Sequence, residues 1–323
     1  MLKAFGRYST KLSTSALGST ILYYSNSTKS TTMERAPVFF VSHGGPNLLE
    51  DKEKPGEFYS WFGKYLKKEL KPKAIVIISA HWQGSGKNTV FVDTSEKPKL
   101  IYDFYGFPQR YYEQTWDHQG EPALAEKVVG LLKKAGIDAK GQEYGNDHGV
   151  WVPLKRAMTS NKDIPIVEVS TFSHEDMPMH VKMGEALAPL RDEGVVIIGS
   201  GSSVHNLRLL WSNMDKPSPQ WVIDFDKDME KAACGSTGKE RNDAANQLSK
   251  HKAFRESHPT AEHLVPFHVA LGAAGNDEGI KLLEDYLATI GWGSYGFGLP
   301  KDIRMPTYKN GISSSLTTSR DEL

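Results

Sequence analysis

The sequence predicts an α/β fold: a single domain with a mainly parallel central sheet flanked by helices. Two observations support this prediction. Short apolar runs rich in Val and Ile alternate along the chain with amphipathic stretches, as expected of a doubly wound sheet. The apolar runs are continuous rather than alternating, which is typical of parallel strands covered on both faces. No internal repeat and no long linker divides the region.

Four of these runs are predicted to be buried strands: PVFFVS (37–42), AIVIISA (74–80), IPIVEVS (164–170) and GVVIIGS (194–200). Five stretches are predicted to be helices because their apolar residues recur at helical spacing: 56–70, 121–137, 219–234, 244–257 and 279–291. The last three make the region after the final buried strand mostly helical. A further helix over 177–190 is predicted to belong to the core, with His174 and His180 exposed.

The composition is that of a globular protein, with 39% hydrophobic and 24% charged residues. Lys+Arg and Asp+Glu both number 39, whereas nucleic-acid-binding proteins normally carry a basic excess, so no nucleic-acid partner is expected. The single cysteine, Cys234, excludes an intramolecular disulfide and a thiolate zinc cluster. No apolar run approaches the roughly 18 residues that a spanning helix needs, so no membrane partner is expected either.

The first 33 residues differ in composition from the rest. They contain basic residues, many Ser and Thr, and no acidic residue before Glu34, which is typical of a mitochondrial transit peptide. The alternatives are a disordered leader, or upstream sequence bypassed by a start at Met33. We therefore expect a leader over 1–33, a catalytic domain over 34–306 and a polar C-terminal tail over 307–323, in a mitochondrial or cytoplasmic protein.

Three of the predicted strands lead into a histidine. His43 and His205 come just past the first and fourth strands, and His81 comes at the end of the second. Sites in open α/β sheets form beyond the carboxyl ends of the strands, so the three imidazoles converge if the strands are neighbours. A lone histidine after a strand is more often a hydrogen-bonded loop residue, but the repetition favours a site. Neutral imidazole suits zinc and iron.

Two more histidines have a chemical interpretation. The segment over 258–275 is predicted to be a helix in which Glu262 and His263 are adjacent. Neighbours on a helix are rotated by about 100°, so only one of the two should face a given ion. His148 opens the amphipathic stretch DHGVWVPL. Because helix N-termini favour anionic groups, His148 either faces an anionic substrate or packs within the cap region.

Six collinear motifs together give a family resemblance: SHGGP, SAHW, YDFYGFP, DHGVWVPL, GSGSSVHN and EHLVPFHVALGAAG. In this order they resemble the DOPA-type extradiol aromatic ring-opening dioxygenases, which are related to the catalytic subunit of protocatechuate 4,5-dioxygenase. The similarity runs from about Pro37 to beyond Gly275. It implies an α/β sheet with a non-haem metal site at the carboxyl rim of the strands. It also implies an oxidoreductase that inserts O2 into a small aromatic diol, DOPA or another catechol, and opens the ring to a semialdehyde.

The resemblance also implies roles for individual histidines. His43, His81 and His263 fall at the positions of the metal ligands, and His205 falls at that of a histidine that is either an acid–base catalyst or a fourth ligand. Better-studied relatives have a glutamate as third ligand, the two-His-one-carboxylate set typical of Fe(II) oxygenases. The all-imidazole set here implies one divalent metal ion, Fe(II) for activity or Zn(II) as bound.

The expected mechanism assigns two catalytic histidines. His205 accepts a proton from the catechol and returns it during ring opening, and His148 helps to bind the substrate or to orient oxygen. Trp82, Tyr105 and Phe107 are predicted to line the substrate pocket, with packing beneath a loop as the alternative.

Two other interpretations stay open. The same histidines could activate water in a zinc-dependent hydrolase, or the chain could be a non-enzymatic scaffold that keeps the fold. A scaffold needs none of the four histidines His43, His81, His205 and His263, so their joint presence argues against it.

Overall fold

A computed structural model describes residues 35–86 and 88–308. The predicted leader and the tail beyond residue 308 lie outside these residues. Within them, the strands form one eight-stranded sheet and one three-stranded sheet. A search of this part of the chain finds no helix that is both long enough and apolar enough to cross a membrane.

The strands, numbered in chain order, are β1 (Val38–Ser42), β2 (Ala74–Gln83), β3 (Thr89–Asp93), β4 (Asp138–Gln142), β5 (Ile166–Thr171), β6 (Val195–Gly201), β7 (Val204–His205), β8 (Gly279–Leu283), β9 (Tyr286–Leu287), β10 (Ile290–Gly291) and β11 (Ser294–Phe297). The α-helices are α1 (Lys54–Lys64), α2 (Gln109–Tyr112), α3 (Pro122–Lys134), α4 (His148–Ala157), α5 (Met177–Leu187), α6 (Leu210–Asn213), α7 (Gln220–Cys234), α8 (Gly238–Asn246), α9 (Phe254–Ser257) and α10 (Val265–Ala274).

The four predicted strands form the centre of the large sheet. Its order is β4-β3-β5-β2-β6-β1-β11-β8, and β5, β2, β6 and β1 are mutually parallel. Every residue of β1, β5 and β6 is buried, as continuous apolar runs require. The predicted α/β fold with a mainly parallel central sheet is therefore confirmed.

Antiparallel pairing is confined to the flanks of the large sheet. On one side β11 runs antiparallel to both β1 and β8. On the other side β3 runs antiparallel to β5 and carries the parallel strand β4 beyond it. The edge strand β4 has the sequence DAKGQ, with only Ala139 buried, so it has no apolar run by which the sequence could have indicated it.

Helices cover both faces of the sheet and create two hydrophobic clusters. One cluster lies under α3, α5, α7 and α10, and the other lies under α1 and α4. Successive residues of a strand face opposite sides, and β1 divides accordingly. Val38 and Phe40 belong to the first cluster, whereas Phe39 and Val41 belong to the second. The strand is thus apolar on both faces for a structural reason.

The predicted helix over 279–291 is wrong. Its first part is β8, which pairs with β11, and its remainder forms β9 and β10 of the small sheet. Its apolar spacing fits a helix, but tertiary contacts override it. Lys281 extends from β8 to Asp226 and Glu230 of α7, at 2.8 and 3.0 Å. Ala288 has φ +51°, a left-handed conformation that an α-helix cannot contain.

Two smaller predictions also differ from the structure. The helix expected over 244–257 is interrupted: α8 ends at Asn246, a 3-10 turn follows, and α9 begins at Phe254. His180, predicted to be exposed, is fully buried. Its Nδ1 donates to the Asp176 carbonyl at 2.8 Å and its Nε2 accepts from the Phe172 amide at 3.3 Å, which compensates for the burial of its polar atoms.

Candidate metal centre

Neighbouring strands bring His43 and His81 to one edge of the sheet. His43 directly follows β1 and His81 lies near the carboxyl end of β2, with β6 between the two strands. The His43 amide donates to the carbonyl of Gly201, the last residue of β6, at 3.0 Å. The two imidazole centroids are 4.9 Å apart. The strand pattern of the sequence therefore identified two side chains that meet.

His263 reaches the same edge from the turn that precedes α10. Because His263 lies outside the helix, the expected 100° rotation from Glu262 does not apply. The His263 carbonyl accepts from the Ser202 amide at 3.0 Å. A Cβ atom on Gly201 would lie 2.1 Å from that carbonyl oxygen, so this close approach requires glycine. The His263 ring is 4.9 Å from His81 and 5.2 Å from His43.

A second glycine fixes the loop that carries His43. Gly44 has φ +62°, and a Cβ atom on it would lie 2.1 Å from the Trp292 ring. The Ser42 hydroxyl donates to the Gly293 carbonyl at 2.9 Å. The segment between β10 and β11, which directly follows the helix predicted over 279–291, therefore supports the loop of the first candidate ligand.

We refer to His43, His81 and His263 as the imidazole triad. One ring nitrogen from each lies within 4.8 Å of the others. The Nε2 atoms of His81 and His263 are 3.2 Å apart. Two nitrogens that bind one ion at about 2.1 Å are separated by about 3.0 to 3.4 Å at ordinary coordination angles. The spacing therefore fits a shared ion.

Hydrogen bonds leave the Nε2 atoms of the triad free for coordination. His43 Nδ1 donates to the Gly44 carbonyl at 2.8 Å, and its Nε2 is buried without a partner. His263 Nδ1 donates to Glu262 Oε1 at 3.0 Å. Leaving a buried polar atom unsatisfied is costly, and a metal ion would satisfy it. Outer hydrogen bonds of this kind fix the tautomer of metal-binding histidines, so these residues fit a divalent metal ion.

The triad is neutral near pH 7. Burial lowers the pKa of His43 to about 3, with a smaller contribution from His148. Burial also lowers the pKa of His81 and His263 well below the ordinary value, again reinforced by the neighbouring histidines. Neutral imidazole is the form that binds a cation.

His205 lies against the triad from β7. Its ring stacks on that of His263, with centroids 3.5 Å apart and an interplanar angle of 15°. Among the described residues it belongs to a second group of possible ligands, with Glu262 and His263, rather than to the triad. Burial lowers the pKa of His205 to about 3, with smaller contributions from other histidines. The arrangement places a neutral imidazole beside the candidate ion.

His148 is the first residue of α4. The helix begins there because the Asp147 side chain caps it, accepting from the Gly149 amide at 2.9 Å. Asp147 also accepts from the Ser79 hydroxyl at 2.7 Å, which ties the helix start to β2. The His148 ring lies 3.9 Å from that of His81, centroid to centroid, so the structure brings this predicted residue to the edge of the triad.

Asp103 is a functional candidate that the sequence analysis missed. Its Oδ1 lies 2.9 Å from His148 Nδ1 and its Oδ2 lies 3.3 Å from His81 Nδ1. Burial, the largest influence, raises its pKa, but the contacts with His148 outweigh burial and lower the pKa overall. Asp103 is therefore a carboxylate. Its one sequence signal is that it is the single charged residue of YDFYGFP.

The three predicted pocket aromatics lie in different surroundings. Phe107 is beside the His43 loop, because a Cβ atom on Gly45 would lie 3.4 Å from its ring. Trp82 is buried and stacks on Tyr144, with centroids 4.0 Å apart. Tyr105 is 90% exposed, so most of its surface contacts solvent. Of the three, Phe107 is the one for which the structure gives a contact with the loop of a triad residue.

Comparisons with known proteins identify the family of this chain. Residues 36–299 match the family described as the catalytic LigB subunit of aromatic ring-opening dioxygenase. The chain belongs to the LigB family. It is 39% identical over 266 residues to 4,5-DOPA dioxygenase extradiol of Beta vulgaris, covering 80% of this chain and 96% of that protein. It is 36% identical over 251 residues to the Escherichia coli K12 protein of the same name, covering 77% and 89%.

A solved structure extends the comparison to the fold. An uncharacterized protein of Escherichia coli K12 superposes with a TM-score of 0.67 at 30% identity, covering 81% of this chain and 99% of the other. The predicted resemblance to extradiol ring-opening dioxygenases is confirmed, and with it the prediction of an oxidoreductase. LigB dioxygenases are metal-dependent enzymes that act on an aromatic substrate and O2, and the imidazole triad could bind the metal.

Proposed function

We propose that this chain is a metal-dependent extradiol dioxygenase that opens the ring of DOPA or a similar small catechol to a semialdehyde. The imidazole triad binds the metal ion, His205 transfers protons and His148 contacts the substrate or oxygen. The observation that carries the proposal is the convergence of three neutral imidazoles from distant parts of the chain, one with a buried nitrogen that has no other partner. The names of the two relatives support DOPA as the first substrate to test.

A metal ion held by the imidazole triad would supply Lewis-acid chemistry that lowers the pKa of the catechol hydroxyls. Fe(II) is the proposed active metal, because ring opening by O2 requires a redox-active ion. An all-imidazole set also suits Zn(II). We therefore expect the isolated protein to contain Fe(II) or Zn(II).

His205 is proposed as the proton-transfer residue rather than as a fourth ligand. Its stacking on His263 and its absence from the triad's set of converging nitrogens, among the described residues, support this assignment. A neutral imidazole can accept a proton from a catechol hydroxyl. The anionic substrate then favours the imidazolium, because a nearby negative charge raises the pKa of the ring, and the proton can be returned during ring opening.

The pocket is proposed to lie between the triad and the loop over 103–107. His148 is 3.9 Å from His81 and 5.8 Å from Phe104, measured between ring centroids. It therefore lies between a ligand and the aromatic loop, where it can contact a substrate oxygen. Phe107 is proposed to contact the aromatic ring, and Trp82 and Tyr105 remain predictions for this role.

An oxygen-uptake assay tests the proposal. The full-length protein is first reconstituted with Fe(II) under anaerobic conditions, and oxygen uptake is then measured after oxygen and substrate are added. DOPA, dopamine, protocatechuate and catechol form the panel, and tyrosine, which lacks the second hydroxyl, is the control. We expect uptake of one O2 per diol consumed, with the absorption of a semialdehyde product, and no uptake with tyrosine. Iron-loaded protein that consumes no oxygen with any diol contradicts the proposal.

A zinc-dependent hydrolase is the second candidate, because zinc bound by three imidazoles with an open position can activate water. Metal analysis after anaerobic purification discriminates between the two functions. Zinc without any oxygen uptake, together with zinc-dependent hydrolysis, favours this alternative. Failure to bind any metal at micromolar concentration or below favours a non-enzymatic scaffold instead.

Residues 1–33 are proposed to direct import into mitochondria, and a cytoplasmic protein translated from Met33 is the alternative. Fusing the leader to a fluorescent protein distinguishes the two. Residues 34–306 are proposed to form the catalytic domain, so a chain beginning at Met33 should retain full activity.

A further inference from the structure

Asp103 contacts two histidines of the site with its two oxygens. Oδ2 lies 3.3 Å from Nδ1 of His81. Oδ1 lies 2.9 Å from Nδ1 of His148 and also accepts from the His148 backbone amide at 2.9 Å. The carboxylate therefore spans a member of the imidazole triad and the residue that begins α4.

The loop that carries Asp103 is itself anchored to α4 and to the segment before it. The Trp151 indole donates to the Ile101 carbonyl at 2.9 Å. The Ile101 amide donates to the Asn146 carbonyl at 2.8 Å. Tyr102 packs on Trp151, with ring centroids 5.7 Å apart. Asp103 is thus held in position by its neighbours rather than by the two histidines alone.

For His81, the contact determines which nitrogen faces the other ligands. A negative charge beside Nδ1 favours the tautomer with the proton on that atom, which leaves Nε2 with a lone pair. His81 Nε2 is the atom that lies 3.2 Å from His263 Nε2. A carboxylate behind a ligand also makes that ligand a stronger donor.

For His148, the same carboxylate accepts a hydrogen bond from the backbone amide and lies at ion-pair distance from Nδ1 of the ring. A contact to the amide alone would fix the start of α4 but not the rotation of the side chain. The additional contact at Nδ1 directs the opposite nitrogen, Nε2, away from Asp103. The same carboxylate therefore orients the rings of both His81 and His148.

We propose that Asp103 is a positioning residue that orients His81 for metal binding and His148 for substrate contact, so that the two functions depend on one carboxylate. This inference rests on the proposed function for the role of His148, and on metal binding alone for the role of His81. Asp103, His81 and His148 also bring ligand atoms within 4.8 Å of one another, so a second metal ion at these residues is the competing explanation.

Metal affinity is the readout that does not depend on turnover. D103N keeps the shape and one acceptor oxygen but removes the charge, and D103A removes both contacts. The exposed Glu113 in the same region provides a matched control, E113Q. Competition with a chromogenic chelator should show a loss of Zn(II) affinity of about 10- to 100-fold in D103A, a smaller loss in D103N and none in E113Q. Wild-type affinity in D103A overturns the role at His81.

The role at His148 is tested by a double-mutant cycle at saturating Fe(II) with the best diol of the panel. D103A and H148A should each lower kcat, and the double variant should lose little more than H148A alone, because Asp103 acts through His148. If the kcat loss of the double variant equals the product of the two single losses, the role of Asp103 at His148 is overturned. Binding of two equivalents of metal by the wild type, and one by D103A, overturns the positioning role in favour of a second metal site.

The two hypotheses fail in different ways. A wild-type protein that binds metal but consumes no oxygen contradicts the proposed dioxygenase function, while the affinity series still tests Asp103. A wild-type protein that opens catechol rings, with a D103A variant that binds metal normally and turns over at the wild-type rate, contradicts the inference about Asp103 alone. Circular dichroism of each variant checks that the fold is retained.

Discussion

Two sets of histidines in this molecule are similarly buried but differ in the groups that their ring nitrogens face. The imidazole triad and the pair His180 and His268 are all less than 4% exposed, except His81, which is partly exposed. Burial lowers the pKa in both sets. Burial and charge state therefore do not separate a candidate metal site from a structural histidine.

The difference lies in what the ring nitrogens face. Both nitrogens of His268 face backbone carbonyls, those of Leu264 and Ala245 at 3.4 and 3.2 Å. His180 is likewise bonded to backbone atoms of its own segment. The triad instead directs nitrogens at one another, and His43 Nε2 has no partner. Histidines that satisfy the backbone hold a fold together, whereas convergent unsatisfied ones indicate a ligand.

The largest expected effect is the loss of a triad member. H43A removes the ring whose Nε2 is buried and free, so metal affinity should fall by at least about 100-fold, more than outer-sphere changes cause, and ring opening should be abolished. Isothermal titration with Zn(II) and oxygen uptake measure the two effects. H268Q, from the other set, is the control and should bind metal normally. Equal metal affinity in H43A and wild type would contradict the proposal that the imidazole triad, unlike His180 and His268, binds a metal ion.

The next prediction tests whether His205 is a metal ligand or a proton-transfer residue beside the metal. H205A should lower kcat by about 10² to 10⁴, the range for a lost general acid–base group, while metal affinity changes little because His205 stands outside the triad. Stopped-flow kinetics and chelator competition on the same preparation give both values. A loss of metal affinity as large as that of H43A would instead make His205 a fourth ligand.

Substitutions of His180 and His268 should change the stability of the fold rather than metal binding. H180A removes a buried ring with hydrogen bonds at both nitrogens, so the free energy of unfolding should fall by about 2 to 4 kcal/mol. Urea denaturation of the metal-free protein measures this change. H174A, at a half-exposed neighbouring position, serves as the control, with an expected change below about 1 kcal/mol. A H180A variant as stable as wild type would contradict the assigned role.

The last effect is the pH dependence of stability that His268 contributes. Burial lowers the pKa of His268 in the folded state from 6.5 to about 4. Between these values the unfolded state binds a proton that the folded state does not, so stability is full above about pH 6.5 and falls as the pH drops towards 4. The slope is at most about 1.4 kcal/mol per pH unit for one histidine.

Comparing wild type with H268Q isolates this contribution. Urea denaturation at pH 7, 6 and 5, with both proteins free of metal, should give a shallower decline in H268Q. A steeper decline in the variant, or stability that rises as the pH falls, would reverse the sign and refute the assignment.

The centre of the fold and much of the candidate site could be predicted from local patterns in the sequence. Continuous apolar runs identified the parallel strands. His43 and His81 sit where such strands end, and His205 follows β6 in the short strand β7. The family resemblance added His263, which local spacing would have placed in a helix. The turn before α10 depends on the close approach of Gly201 to the His263 carbonyl, a tertiary contact that spacing does not encode.

The antiparallel flank and Asp103 could not be predicted for a related reason. The segment over 279–291 has apolar residues at helical spacing, and its strands are selected by pairing with β11 and by Lys281 reaching the acidic residues of α7. Asp103 acquires its partners from β2 and α4, so its surroundings exist only in the folded chain. Contacts between distant segments, rather than composition, define both features.

The site's long-range construction has a consequence for the order in which the protein matures. His81 and His263 are separated by 182 positions, and the loop of His43 rests on Trp292. A chain still on the ribosome cannot complete this centre until nearly the whole domain has been synthesised. The proposed metal ion would therefore meet all three imidazoles of the triad only at a late stage of folding.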